Sequence, residues 1–184
     1  MRLFAGIELP AEVKSNLARL LGRLRPAARL KWIPVDNLHV TTKFIGEWPE
    51  DRLSELVGAL GGLPGREPFQ IAIRELGWFP NPRDPRVFWA GVSADPALAA
   101  LVRETDEALA RLGVPAETRA YSPHLTLARI KDRPTLAGIH QAIAELPAQD
   151  FGKFAADRFY LYRSDRGASG SLYTKLKEFV FAKS

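Results

Sequence analysis

One pattern constrains this chain more than any other. The stretch Leu38-His39-Val40-Thr41-Thr42-Lys43-Phe44 returns, nearly half the chain later, as Pro123-His124-Leu125-Thr126-Leu127-Ala128-Arg129. Both read His-x-Thr within an alternation of apolar and polar residues, which suits a half-buried strand. The surroundings repeat as well. Arg86-Val87-Phe88-Trp89-Ala90-Gly91-Val92 resembles Arg2-Leu3-Phe4-Ala5-Gly6-Ile7 with one inserted aromatic. A helical pattern follows each: one from Pro10, with Val13, Leu17, Leu20, Leu21 and Leu24 on one face, and one from Pro96 to Leu112. Two copies are too few for a solenoid. The expectation is a single α+β domain of 184 residues, a duplicated unit with copies running approximately 1–85 and 86–184.

The remaining elements fall between these anchors. A strand over Leu38 to Ile45 is followed by a helix from Glu50 to Leu60, which stops at Gly61-Gly62. Phe69 to Leu76 reads as a strand, and the proline-rich run from Pro80 to Pro85 turns it. In the second half, His124 to Ile130 gives a strand, Pro134 to Leu146 a helix and Phe154 to Tyr162 one long strand. A turn over Gly167 to Gly170 precedes a final alternating segment, Leu172 to Phe181.

Composition removes whole classes of chemistry. With no cysteine there is no disulfide scaffold, thiol nucleophile or thiolate zinc site. The formal charge of +5 favours an anionic partner and moves phosphate-bearing ligands forward. The sequence has no Gly-x-x-x-x-Gly-Lys phosphate loop and no Gly-x-Ser-x-Gly elbow. No window approaches the ~20 apolar residues of a membrane helix, and Arg2, Glu8 and Pro10 do not make a signal peptide. The expected setting is the cytoplasm, with no membrane association.

Only three histidines remain, and two of them sit at matching places in the repeat. Residues two apart on a strand share a face, so each histidine lies beside its threonine while Val40 or Leu125 points into the core. One His-x-Thr on a strand is a weak signal. Two copies facing each other across a pseudo-two-fold groove can serve as general acid and general base, because an imidazole titrates near about 6.5. Thr41 and Thr126 then offer hydroxyl donors to non-bridging phosphate oxygens. A two-histidine metal site is the competing reading, but neither motif supplies a third ligand, so no metal is expected. His140 lies in a helix outside the motifs and reads as solvated surface.

These residues resemble a known family. The segments Asn37 to Gly46 and Ser122 to Arg129, with the tail Leu161-Tyr162-Arg163-Ser164, are similar to the two-histidine phosphoesterase superfamily, most of all to its RNA 2′,3′-cyclic phosphodiesterases. The resemblance covers nearly the whole chain. One departure is Thr42, where the family usually has an apolar residue; by alternation it faces inward. The resemblance implies a bilobed fold, with two antiparallel sheets lining a central cleft and helices outside. It also implies metal-independent opening of a cyclic phosphate without a cofactor, by a monomer acting on cyclic-phosphate-ended RNA or cyclic nucleotides. By family analogy His39 is the acid on the 3′ oxygen and His124 the base, which leaves a 2′-phosphate. From sequence alone the two histidines look alike.

The supporting residues are read from position. Strict alternation puts Lys43 on the His39 face, where it could meet a phosphate. Arg129 falls on the opposite face of a regular strand from His124, so a phosphate contact there requires a bulge or a strand end. Phe44, Tyr121, Trp32 and Trp78 are base-stacking candidates, and Arg163 and Ser164 are groove candidates after a strand end. Reversible 2′-5′ ligation and hydrolysis of a small cyclic nucleotide share the same acid-base layout. A non-catalytic RNA-binding module is the alternative from another class.

Overall fold

The computed structural model describes residues 1–168 and 170–182. Ser169, within the expected Gly167–Gly170 turn, lies outside the described residues. Nine strands and four α-helices follow in the order β1 (Arg2–Glu8), α1 (Ala11–Leu24), β2 (Lys31–Trp32), β3 (His39–Glu47), α2 (Leu53–Gly61), β4 (Phe69–Phe79), β5 (Val87–Ala94), α3 (Pro96–Ala110), β6 (His124–Arg129), α4 (Ala137–Ala144), β7 (Asp150–Ala156), β8 (Arg158–Gly167) and β9 (Gly170–Val180) among the described residues.

The strands form two antiparallel sheets, β3-β1-β8-β9 and β2-β6-β5-β4-β7. Each sheet joins a motif strand and its neighbour from one half of the chain, β3 with β1 or β6 with β5, to a strand from the other half: β8 joins β1, and β4 joins β5. The two halves of the chain are therefore interlocked. This is the α+β fold expected, with two antiparallel sheets flanking a cleft and helices on their outer faces.

Helix α1 forms where the apolar spacing placed it, with Val13, Leu17, Leu20, Leu21 and Leu24 all buried. Helix α3 begins with Pro96 after Asp95, whose side chain caps it by accepting from the Ala97 N–H at 3.0 Å. Helix α4 is shorter than the expected 134–146, and no side chain caps its N-terminus.

The expected single strand over Phe154 to Tyr162 is instead two strands in different sheets. Ala156 ends β7 opposite Phe69, and Arg158 begins β8 opposite Val180. Buried positions step from Ala156 to Phe159, an odd interval that a continuous strand with one buried face does not allow. As a result Arg163 and Ser164, expected after a strand end, lie inside β8.

The likeness between β1 and β5 also shifts in three dimensions. Glu8 stands opposite His39 and Gly6 opposite Thr41, whereas Gly91 stands opposite His124 and Trp89 opposite Thr126. The shared Ala-Gly pair is thus displaced by two residues along the ladder.

Candidate active site

Both motif strands carry a bulge at the same step. On β3, Ala5 pairs with Lys43 and Gly6 with Thr41, which leaves Thr42 unpaired on β1. On β6, Phe88 pairs with Ala128 and Trp89 with Thr126, which leaves Leu127 unpaired. An extra residue reverses the alternation beyond it. Arg129 is thereby returned to the row of His124 and Thr126, as a phosphate contact requires. By the same logic Lys43 moves to the other face: it pairs with core-facing Ala5 and occupies the position that buried Ala128 holds in the second motif.

Lys43 accordingly departs from the expected phosphate contact. Its side chain is 1% exposed, and its ammonium donates to Asp106 Oδ1 at 2.6 Å and to the Pro115 carbonyl at 2.8 Å, with Glu117 at 3.6 Å. Asp106 also accepts from the Glu117 N–H. Burial pushes the Asp106 carboxyl up, but these partners outweigh it and hold it below the ordinary carboxylate range. Thr42 is buried as alternation expected, and its hydroxyl has no hydrogen-bond partner among the described residues.

The two imidazoles are held alike. His39 Nδ1 lies 2.7 Å from the Asn37 carbonyl, and His124 Nδ1 lies 2.9 Å from the Ser122 carbonyl. A carbonyl only accepts, so each Nδ1 carries the hydrogen and each Nε2 is left for chemistry. Both rings line one open cleft of about 1590 Å³, together with Thr41, Thr126, Phe44 and Arg129. A space that large exceeds an ordinary small-ligand pocket of about 300–1,000 Å³ and suits an extended substrate.

The surroundings of the two rings differ. Phe4 stacks on His39 at 4.5 Å, and Tyr173 meets it edge-on at 5.4 Å. Tyr162 stacks behind Phe4. Burial among these rings lowers the His39 pKa, and the Asn37 carbonyl only partly offsets that. His124 is exposed, with Phe79 at 6.2 Å. Sequence reasoning missed Phe4, Tyr173 and Phe79, because cross-strand neighbours are fixed by register and not by local pattern.

Tyr121 does more than offer a ring. Its hydroxyl donates to the Thr41 carbonyl at 2.9 Å, which ties the loop before His124 to the His39 strand. Asn37 similarly donates to the Ser171 carbonyl at 2.9 Å and joins the approach to His39 to β9. Trp32 lines the cleft beside β6, while Trp78 packs on Phe88 and on exposed His140. Ser164 lines the cleft, and Arg163 is bound to Asp165.

The charge of the cleft is one-sided. Lys31, Arg103, Arg119, Arg129 and Arg166 line it without an ion pair among the described residues. Its acids Asp106 and Glu117 are matched by Lys43, Asp165 by Arg163 and Glu47 by the N-terminal amine. Among the described residues no group of three or more His, Cys, Asp or Glu could hold a metal ion, and no helix is long and apolar enough to cross a membrane.

Comparison with known proteins agrees with this geometry. The family model for LigT like phosphoesterases matches residues 7–89 and 91–173. An RNA 2′,3′-cyclic phosphodiesterase of Methanocaldococcus jannaschii is 33% identical over 178 residues, covering 97% of this chain and 99% of the relative. A crystal structure of a Thermus thermophilus protein superimposes with a TM-score of 0.82 at 30% identity, covering 100% of this chain and 99% of the other. E. coli LigT complexed with 3′-AMP superimposes with a TM-score of 0.77 at 26% identity, covering 99% and 98%. With its paired histidine strands on opposite walls of one basic cleft, the chain belongs to the LigT-like phosphoesterase family.

Proposed function

We propose that this chain hydrolyses 2′,3′-cyclic phosphate ends of RNA to 2′-phosphomonoesters, without a metal, using His39 as general acid and His124 as general base. The observation that carries the reading is the matched pair of imidazoles, each with Nδ1 tied to a carbonyl two residues back and its ring lining the shared cleft.

His124 Nε2 takes a proton from water as the water oxygen attacks phosphorus. The bond from phosphorus to the 3′ oxygen breaks, and His39 Nε2–H gives its proton to that oxygen. The product has a 2′-phosphate and a 3′-hydroxyl, and proton exchange with solvent resets the pair. The exposure of His124 supports its pairing with water. The buried setting of His39 supports a strong acid once it is protonated, and the bound phosphate anion supplies the charge that favours protonation. Thr41, Thr126 and Arg129 would donate to the non-bridging oxygens as charge grows on them. On this reading the chain works as a monomer in the cytoplasm, supported by both histidines coming from one chain. The chain remains, on this reading, one bilobed domain built on repeats of approximately 1–85 and 86–184.

The relatives' names and the 3′-AMP complex of LigT support a ribonucleotide substrate. The test is incubation with cyclic-phosphate-ended RNA in EDTA and product identification by phosphorus NMR. The expected product is the 2′-phosphate, with turnover reduced about 10²- to 10⁴-fold in His39→Ala and in His124→Ala. A substrate whose leaving group has a low pKa should rescue His39→Ala and not His124→Ala. A 3′-phosphate product overturns the assignment of the leaving oxygen, and dependence on added metal overturns the acid-base scheme.

A further inference from the structure

The two bulges place different side chains at equivalent points of the two walls. Three residues beyond each motif threonine, and returned to the cleft row by the bulge, the second wall carries Arg129 and the first carries Phe44. An arginine there suits a phosphate. A phenylalanine there does not, yet Phe44 lines the same cleft and remains 50% exposed, one of few large apolar side chains left open to solvent among the described residues. The Arg2 guanidinium lies 5.2 Å from the ring centroid of Phe44. Arg103, without an ion pair among the described residues, lines the same cleft.

We infer that Phe44 with Arg2 forms a stacking subsite for the base of the penultimate nucleotide, so that the preferred substrate is an RNA strand and not a mononucleotide. This rests on the cyclic phosphodiesterase reading above. A cyclic phosphate occupies the 3′ end, so the strand continues only in the 5′ direction, and the penultimate base is the next to extend along the cleft after the terminal one. Phe44 stands three residues along the strand from Thr41, about 10 Å at most, a span of a few stacked bases at about 3.4 Å each. An aromatic face beside arginine holds a base of any identity, while neighbouring cations track the backbone. The near-symmetric cleft thereby gains a direction: phosphate toward Arg129, upstream strand toward Phe44.

The experiment compares a mononucleoside 2′,3′-cyclic phosphate with a dinucleotide carrying the same end. In the wild type the dinucleotide should have the higher kcat/KM, and Phe44→Ala should lower the dinucleotide-to-mononucleotide ratio by about 5- to 150-fold. Phe44→Tyr should keep the ratio, and an abasic penultimate residue should reproduce the loss in the wild type. Binding of an uncleavable dinucleotide ending in 2′-phosphate, measured without turnover, separates this subsite from the reaction itself. Weaker binding to Phe44→Ala supports the subsite even if hydrolysis is never seen. Equal binding to Phe44→Ala and wild type, or an abasic position without effect, overturns it.

Discussion

The Tyr121 hydroxyl donates to the backbone carbonyl of Thr41 at 2.9 Å, and so the loop that enters the strand of His124 is fastened to the strand of His39. Burial pushes the phenol of Tyr121 up, so it stays a donor throughout the working pH range. Tyr121→Phe removes that one bond and keeps the ring. The expected loss is about 0.5–1.5 kcal/mol of stability. Activity should fall through kcat more than KM, because the spacing of the two imidazoles is disturbed before the binding surface is. Denaturant unfolding with steady-state kinetics checks both, and a change in KM alone would make Tyr121 a substrate contact.

Lys43 is a second fastening between the same parts. It holds Asp106 on α3 and the Pro115 carbonyl in the loop that leads to Tyr121. With Lys43 only 1% and Asp106 20% exposed, breaking the pair by Lys43→Ala should cost about 3–5 kcal/mol. Lys43→Met with Asp106→Leu should recover part of it, since no buried charge is then left alone. The carboxyl of Asp106 titrates below its ordinary 3.8, so its contribution is present above that value and is lost as pH falls through the lower folded value. Urea midpoints of the single and double variants provide the measurement. A loss of activity in Lys43→Ala at unchanged stability would restore the lysine to the phosphate.

The depressed pKa of His39 makes a pH prediction of opposite origin. Below its unfolded value of 6.5 the unfolded chain takes up a proton first, so the stability from neutral, buried His39 falls as pH drops through that region. The fall ends once pH passes the lower folded value. His39→Gln should flatten the difference in unfolding free energy between pH 7.5 and pH 5.5, while the other two histidines stay in place as controls. Inorganic phosphate should raise the His39 titration midpoint seen by NMR, because an anion beside the ring favours imidazolium. A midpoint unmoved by phosphate would place the anion elsewhere in the cleft.

The fate of Lys43 and Arg129 marks how far the sequence could be read. The motif pairs His39 with Thr41 and His124 with Thr126 were legible because a period of two survives between them. Beyond them Thr42 and Leu127 each add one residue to the strand, and the next two side chains, Lys43 and Phe44 on one wall and Ala128 and Arg129 on the other, change face. Neither residue announces a bulge, since the bulge is a property of the partner strand's register. The exchange of β4 and β8 between sheets was hidden for the same reason, and the apolar run across Asp157 concealed a passage from one sheet to the other. The cage of Phe4 and Tyr173 around His39 comes from β1 and β9, more than a hundred residues apart in sequence but only one strand, β8, apart in the sheet.

Two glycines on the wall of His124 separate a clash that can be relieved from one that cannot. Gly91 stands opposite His124, and a Cβ there would lie 2.5 Å from the Arg74 carbonyl oxygen, beside Glu75 at φ 68. Backbone must move to admit it. Gly77 stands opposite Trp89, and its Cβ would fall 2.0 Å from the indole, which covers the glycine in the row of Thr126. Each alanine should therefore destabilise by about 1–3 kcal/mol. Only Gly77→Ala should be partly rescued by Trp89→Leu, a favourable coupling readable in a double-mutant cycle. Gly91→Ala should in addition lower kcat by up to about 100-fold, because a shift of the strand carries His124 with it and a 1 Å error in a reacting group costs about that much. Full activity in Gly91→Ala would mean that β4 yields and β6 does not, and that the register opposite His124 is not what positions that imidazole.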